Sequence, residues 1–144
     1  MSKPDPAGAR TRARELTLQA LYQAQITGHD KAELLRQFRS RPDYERVDQE
    51  YFDELLPAIC DSFDSLKKSL DEYADRPIEQ LDPVELGVLT IGYYELESRI
   101  DVPYRAVIDE AVGLAQRFGA EDGYKYVNAV LDKACKALRP AETR

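Results

Sequence analysis

At 144 residues, with 43% hydrophobic and 33% charged side chains, the chain has room for one domain with a real core and does not have the composition of a disordered one. No apolar run approaches the roughly 18 residues that would read as a membrane span, and the first residues lack a signal-peptide pattern, so a cytoplasmic protein without a membrane role is expected. The net charge of −7 argues against indiscriminate attraction to RNA or DNA.

The charge is unevenly spread. Residues 1–14 hold Lys3, Arg10, Arg12 and Arg14 against Asp5 alone, a net +3, which leaves −10 for the rest. Residues 1–9, MSKPDPAGA, carry two prolines, a glycine and no large apolar group beyond the initial Met, and read as a flexible arm. A first helix is expected over 9–26. Leu18 and Leu21, with Leu16, form its apolar stripe, while Arg10, Arg12, Arg14 and Gln19 are free to point elsewhere. Arg10 and Arg14 stand one turn apart on one face, with Arg12 roughly opposite. Arginines at a helix N-terminus oppose the macrodipole, so this start either costs a little or has an anion to compensate. Guanidinium forks suit phosphate oxygens, which tips the reading toward anion binding.

Gly28 is a plausible exit from this helix, with the lone His29 in a surface turn. A second helix is expected over 31–40, ended by Arg41, Pro42 and Asp43. The clearest pattern follows: Phe52, Leu56, Ile59, Phe63, Leu66, Leu70 and Tyr73 recur at intervals of three and four, a helix over 48–73. Pro57 falls inside it as a candidate kink or junction. Asp82, Pro83 and Glu85 form a helix start, Asp82 capping and Glu85 placed for a capping box, with the helix running to residue 99. Helices over 104–118 and 122–138 complete the chain. The fifth is expected to bury Val107, Ala111, Leu114, Ala115 and Phe118, and residues 139–144 are left as a polar tail. No segment alternates like a strand, so the expected fold is an all-α bundle of six or seven helices, its body spanning residues 10–138.

Catalytic signals are poor. His29 has no nucleophile or carboxylate constellation, no glycine loop cradles a phosphate, and the carboxylate clusters read as caps and solvated faces. Cys60 and Cys135 have no metal-ligand spacing and read as buried thiols. No enzyme activity, metal or cofactor is expected. Nine tyrosines against four phenylalanines are more telling. Tyr22, Tyr73, Tyr93, Tyr94, Tyr124 and Tyr126 lie on or beside helices, where they either pack with a wet hydroxyl or stack on nucleobases. Arginine for phosphate with aromatic rings for bases is what single-stranded RNA recognition needs.

Three ordered stretches, RTRARELTLQALYQ, DRPIEQLDPVELGVLTIGYYEL and DVPYRAVIDEAVGLAQRFGAEDGYKYVNAVLDK, resemble the NusB family of bacterial transcription antitermination factors from about residue 10 to residue 136. The resemblance implies an all-helical bundle in two small subdomains that lacks catalytic and metal sites. It implies binding of the boxA element of ribosomal RNA transcripts together with NusE, the small-subunit ribosomal protein, in a complex that lets RNA polymerase read through terminators. Carried over by position, the RNA-binding residues are Arg10, Arg12, Arg14, Gln19 and Tyr22 on the first helix. Tyr73 and Arg76, then Asp122, Lys125 and Tyr126, complete that set. Asp82 and Glu85 fall in the region the resemblance assigns to partner contacts. Thr11 interrupts what is often a longer arginine run, and Ala129 replaces a common glycine. Two alternatives stay open: a helical protein–protein adaptor without RNA binding of its own, and self-association into a homodimer that masks the RNA site.

Overall fold

A computed structural model describes residues 6–143, with side chains from Gly8 onward. The expected N-terminal arm therefore lies outside the described residues over 1–5, and where the chain is described it is already helical. The described residues contain no strand and seven α-helices: α1 (Pro6–Thr27), α2 (Lys31–Arg39), α3 (Gln49–Asp71), α4 (Pro83–Ser98), α5 (Tyr104–Phe118), α6 (Gly123–Leu138) and α7 (Pro140–Thr143). The all-α reading of the sequence holds. Two compact units divide at Met1–Asp61 and Ser62–Arg144.

The first unit is built from α1, α2, a 3₁₀ turn (Pro42–Arg46) and the opening of α3. Gly28 ends α1 with φ +76 and donates its N–H to the Ala24 carbonyl at 2.8 Å, the left-handed stop that only glycine takes without strain. Asp30 then caps α2, accepting the Glu33 N–H at 2.9 Å. Leu16, Leu18 and Leu21 of α1, Leu34 and Phe38 of α2, and Phe52, Leu55, Leu56 and Ile59 of α3 are the main buried side chains of this unit. Each such side chain contributes roughly 1.5–3 kcal/mol when fully buried.

Pro57 does not break α3. The non-helical residue is Ser62 (φ −117, ψ 16), and the boundary between the two units falls there. The Ser65 hydroxyl donates to the Ser62 carbonyl at 2.9 Å, giving that acceptor a partner at the irregular turn.

In the second unit α4 is buried almost all round, from Glu85 to Leu96, as a helix enclosed by others must be. It packs on both α5 and α6. At Gly92 the side chain of α6 comes close: a Cβ there would stand 2.6 Å from Leu131 Cδ1. The expected stripe of α5 is buried with Ile108 added, but Phe118 is 40% exposed. It is the last residue of α5, next to the Gly119 stop, and its ring has the Arg117 guanidinium over it at 5.9 Å.

The stretch read as a polar tail is instead anchored. Arg139 is buried at 4% exposure, and its guanidinium donates to the carbonyls of Glu95, Leu96, Arg99 and Val102. The backbone already serves two of these carbonyls, Arg99 N–H reaching Glu95 and Val102 N–H reaching Arg99, both at 3.0 Å, so the guanidinium adds a second donor there and supplies donors to Leu96 and Val102 at the end of α4. Glu142 of α7 balances the charge at 3.0 Å and also accepts the Tyr104 N–H at 3.2 Å.

Candidate nucleic-acid interface

The residues expected to meet RNA fall in both units. In the first, Arg10 and Arg14 do share one face of α1, and that face lies against Tyr51 of α3. Their guanidinium carbons stand 4.3 and 5.3 Å from the ring centroid. Arg10 also faces Asp48 at 3.7 Å. Asp48 holds this corner twice more, accepting the Tyr51 N–H at 3.0 Å and donating its own N–H to the Ala9 carbonyl at 2.9 Å. Because α1 already begins at Pro6, Arg10, Arg12 and Arg14 stand beyond its first turn, and the cost expected of arginines at a helix start largely falls away.

Arg14 does not point outward. It is 3% exposed, because position 14 lies one turn before Leu18 on the stripe that continues to Leu21. Arg12 lies away from that stripe and donates Nε–H to the Arg46 carbonyl at 3.0 Å. Gln19 is half-buried and Tyr22 46% exposed, and both follow Arg12 and Glu15 at helical spacing. Arg12, Glu15, Leu16 and Gln19 line a cavity of about 240 Å³ together with Asp43, Arg46 and Val47.

In the second unit Arg76 is the hub. It reaches Glu85 at 3.3 Å and lies over the Tyr126 ring at 4.4 Å. Its loop is tethered at both sides: Asp71 accepts the Ile78 N–H at 3.1 Å, and Asp75 pairs with Lys133 at 3.3 Å. Asp82 caps α4 as expected, accepting the Glu85 N–H at 2.8 Å. The Glu85 carboxylate does not return the capping-box bond to Asp82. It turns inward, 7% exposed, to Arg76 and to the start of α6, where a Cβ on Gly123 would stand 2.9 Å from Oε1. Burial first, then the neighbouring Asp82, raise the Glu85 carboxyl above its usual range, and Arg76 partly opposes them.

Asp122 precedes α6 with φ +67, the left-handed region that Asp and Asn tolerate better than most residues. Its carboxylate is solvent-facing and pairs with Lys125 at 3.4 Å. The Tyr126 hydroxyl is buried without a hydrogen-bond partner. Tyr73 is half-buried, its ring 6.5 Å from that of Tyr93. Thus Arg76, Glu85 and Tyr126 form one cluster, in which the Glu85 carboxylate is enclosed. Sequence reasoning missed Tyr51, which sits beside Phe52 at the head of the strongest stripe in the chain. It also missed Arg46, in a stretch read only as a helix break.

The rest of the chemistry is quiet. His29 is exposed, its Nδ1 3.1 Å from Gln23 Nε2. Both cysteines are free, and burial raises their thiols. Among the described residues no group of three or more His, Cys, Asp or Glu could hold a metal, and no helix is long and apolar enough to cross a membrane.

Helices throughout, two units, and surface guanidiniums set on aromatic rings define an all-α protein of the helical-bundle class. The NusB family profile matches residues 11–136. The chain is 46% identical over 142 residues to the transcription antitermination protein NusB of Alcanivorax borkumensis, covering 99% of this chain and 95% of that one. It is 47% identical over 136 residues to the protein of the same name from Paraburkholderia phymatum, covering 94% of each. Among solved structures, NusB of T. maritima superposes with a TM-score of 0.82 at 26% identity, covering 99% of this chain and 98% of that one. The chain belongs to the NusB family of transcription antitermination proteins.

Proposed function

We propose that this protein is a non-catalytic cytoplasmic antitermination factor. In this reading it binds the single-stranded boxA element of ribosomal RNA transcripts together with NusE and helps RNA polymerase read through terminators. The observation that carries the RNA part is a guanidinium over a tyrosine ring at both places where the resemblance puts RNA contacts, Arg10 on Tyr51 and Arg76 on Tyr126. Such pairs hold a cation and an aromatic surface in fixed register, which suits a chain of alternating phosphates and bases.

In this reading the roles are redistributed among the residues. Arg10 and Arg12 are the phosphate contacts of α1, and Arg14 supports Tyr51 from beneath. Tyr22 and Tyr126 are the stacking surfaces. Glu85 positions Arg76, and partner contact falls to other acidic groups. The test is binding of labelled boxA RNA, with and without NusE, against a scrambled RNA across a salt series. Sequence-dependent binding that NusE strengthens is expected. Arg10→Ala and Arg12→Ala should each flatten the salt slope by about 0.7. Equal affinity for boxA and scrambled RNA, alone and with NusE, would sink this reading and leave a helical protein adaptor.

A further inference from the structure

Glu85 is an enclosed acid beside a guanidinium assigned to a polyanion. Its residue is 7% exposed, and its Oε2 faces one terminal nitrogen of Arg76 at 3.3 Å. The Oε1 side has little room, since a Cβ on Gly123, the first residue of α6, would stand 2.9 Å away. From its own helix end Asp82 is the other charge acting on it, and Asp82 repels. Among the described residues, Arg76 is the positive charge set against this carboxylate. From α6 comes Tyr126, whose ring lies under the Arg76 guanidinium at 4.4 Å and whose hydroxyl is buried without a hydrogen-bond partner. The remaining charges around the cluster are paired elsewhere: Asp122 with Lys125 at 3.4 Å, and Asp75 with Lys133 at 3.3 Å.

Arg76 itself is only half enclosed, with 50% of its side chain exposed. A guanidinium carries five N–H donors in one plane, so a phosphate can bind on the open side while Tyr126 supports the face of the group. That encounter changes the surroundings of Glu85 twice. It brings a second anion beside an enclosed carboxylate, and it draws off part of the positive charge that keeps the carboxylate ionised. Both changes favour the neutral acid, as burial already does. The linkage is reciprocal: a proton on Glu85 leaves Arg76 free for the phosphate and strengthens binding by the same factor.

We propose that Glu85 is a proton-linked positioning residue: as a phosphate of single-stranded RNA docks on Arg76, the Glu85 carboxylate takes up a proton from solvent. RNA then binds more tightly as the medium acidifies, over a range that begins above the ordinary carboxylate value. Well above that range Glu85 stays ionised with or without RNA, and the linkage is silent. The inference rests on the RNA-binding reading above and adds to it a proton and a direction with pH.

The test measures the affinity of the full chain for boxA RNA across the acid-to-neutral range at fixed salt, for the wild type and for Glu85→Gln. Gln has the shape of the neutral acid and still accepts a hydrogen bond from Arg76. The two proteins should bind alike at the acid end and diverge as pH rises, the variant becoming the tighter. A charge within about 4–6 Å moves a carboxyl's proton affinity by roughly ten- to a thousandfold, and screening at a half-exposed guanidinium reduces the expected gap to about 3- to 30-fold. Calorimetry of the wild type in two buffers of different ionisation heat should show net proton uptake on binding, and Glu85→Gln should show less. Identical pH profiles for the two proteins would refute the linkage and leave RNA binding standing. A gap that is the same at every pH, with no proton taken up by the wild type, would make Glu85 a fixed repulsive charge and overturn the proposal. Absence of RNA binding by the wild type at every pH would bring down both readings together.

Discussion

Glu85 carries a proton linkage that the free protein should display. Its carboxyl is raised mainly by burial, so the folded state holds this proton more tightly than the unfolded chain does. Stability from this group is therefore greatest below the ordinary carboxylate value and declines as pH rises through the window between the unfolded and the raised folded value. Glu85→Gln, which keeps shape and removes the charge, should melt above the wild type near neutral pH, and the gap should close as pH falls through that window. Thermal melting of both proteins across the acid range decides it; a gap that widens on acidification would contradict the assignment. The residue scale is also where the sequence was least legible. Position 85 satisfied a capping pattern in sequence, yet Arg76 and the start of α6 claimed the carboxylate, and neither neighbour is local. Arg14 was legible in principle, since it shares the helical stripe of Leu18 and Leu21, but its charge argued for solvent.

Elements were read far better than their partners. Helix type and order follow from three- and four-residue spacing, and Asp30, Asp82 and Gly28 mark their ends by local hydrogen bonding. What spacing cannot give is which helix is central. The sequence of α4 has two glycines and few charges, and the reason appears only when α5 and α6 close around it. Gly92 sits against Leu131 of α6 in that enclosure. Gly92→Ala improves helix propensity by up to about 1 kcal/mol, yet its methyl would meet Leu131, which is fully buried and has little room to move. Overpacking of this kind typically costs about 1–3 kcal/mol, so a net loss of stability is expected from chemical denaturation. A stabilised variant would mean that α6 can shift away at little cost. Pro57 is the complementary case: a strong local signal for a break, tolerated inside α3, while the irregular residue is Ser62.

Across the whole molecule both units are acidic, the second more so: residues 1–61 hold eleven acidic against nine basic side chains. Residues 62–144 hold sixteen acidic against eleven basic side chains, and the arginine-rich start of α1 belongs to the other unit. Glu72 and Glu97 are exposed carboxylates that both act on the Tyr93 hydroxyl, placing them around one point of the second unit. A basic ribosomal protein would be drawn to such a surface, mainly through a faster encounter. The Glu72→Lys, Glu97→Lys double variant should slow association with NusE and reduce its salt dependence, as read by stopped-flow mixing. An unchanged association rate at low salt would direct the partner elsewhere. Composition revealed the imbalance, but not its division between units, which depends on where the chain folds back on itself.

Arg139 has a consequence in time as well as in space. The four carbonyls it serves belong to residues 95, 96, 99 and 102, some forty positions earlier in the chain. The residues of the first unit are all made well before that position and can assemble while the ribosome is still at work. The second cannot seal the end of α4 until residue 139 has been made and has left the exit tunnel, so for that interval its middle helices stay open to chaperones and proteases. Stalled nascent chains should show the switch: limited proteolysis of ribosome-bound chains should spare the first unit throughout, and spare the second only once Arg139 has emerged.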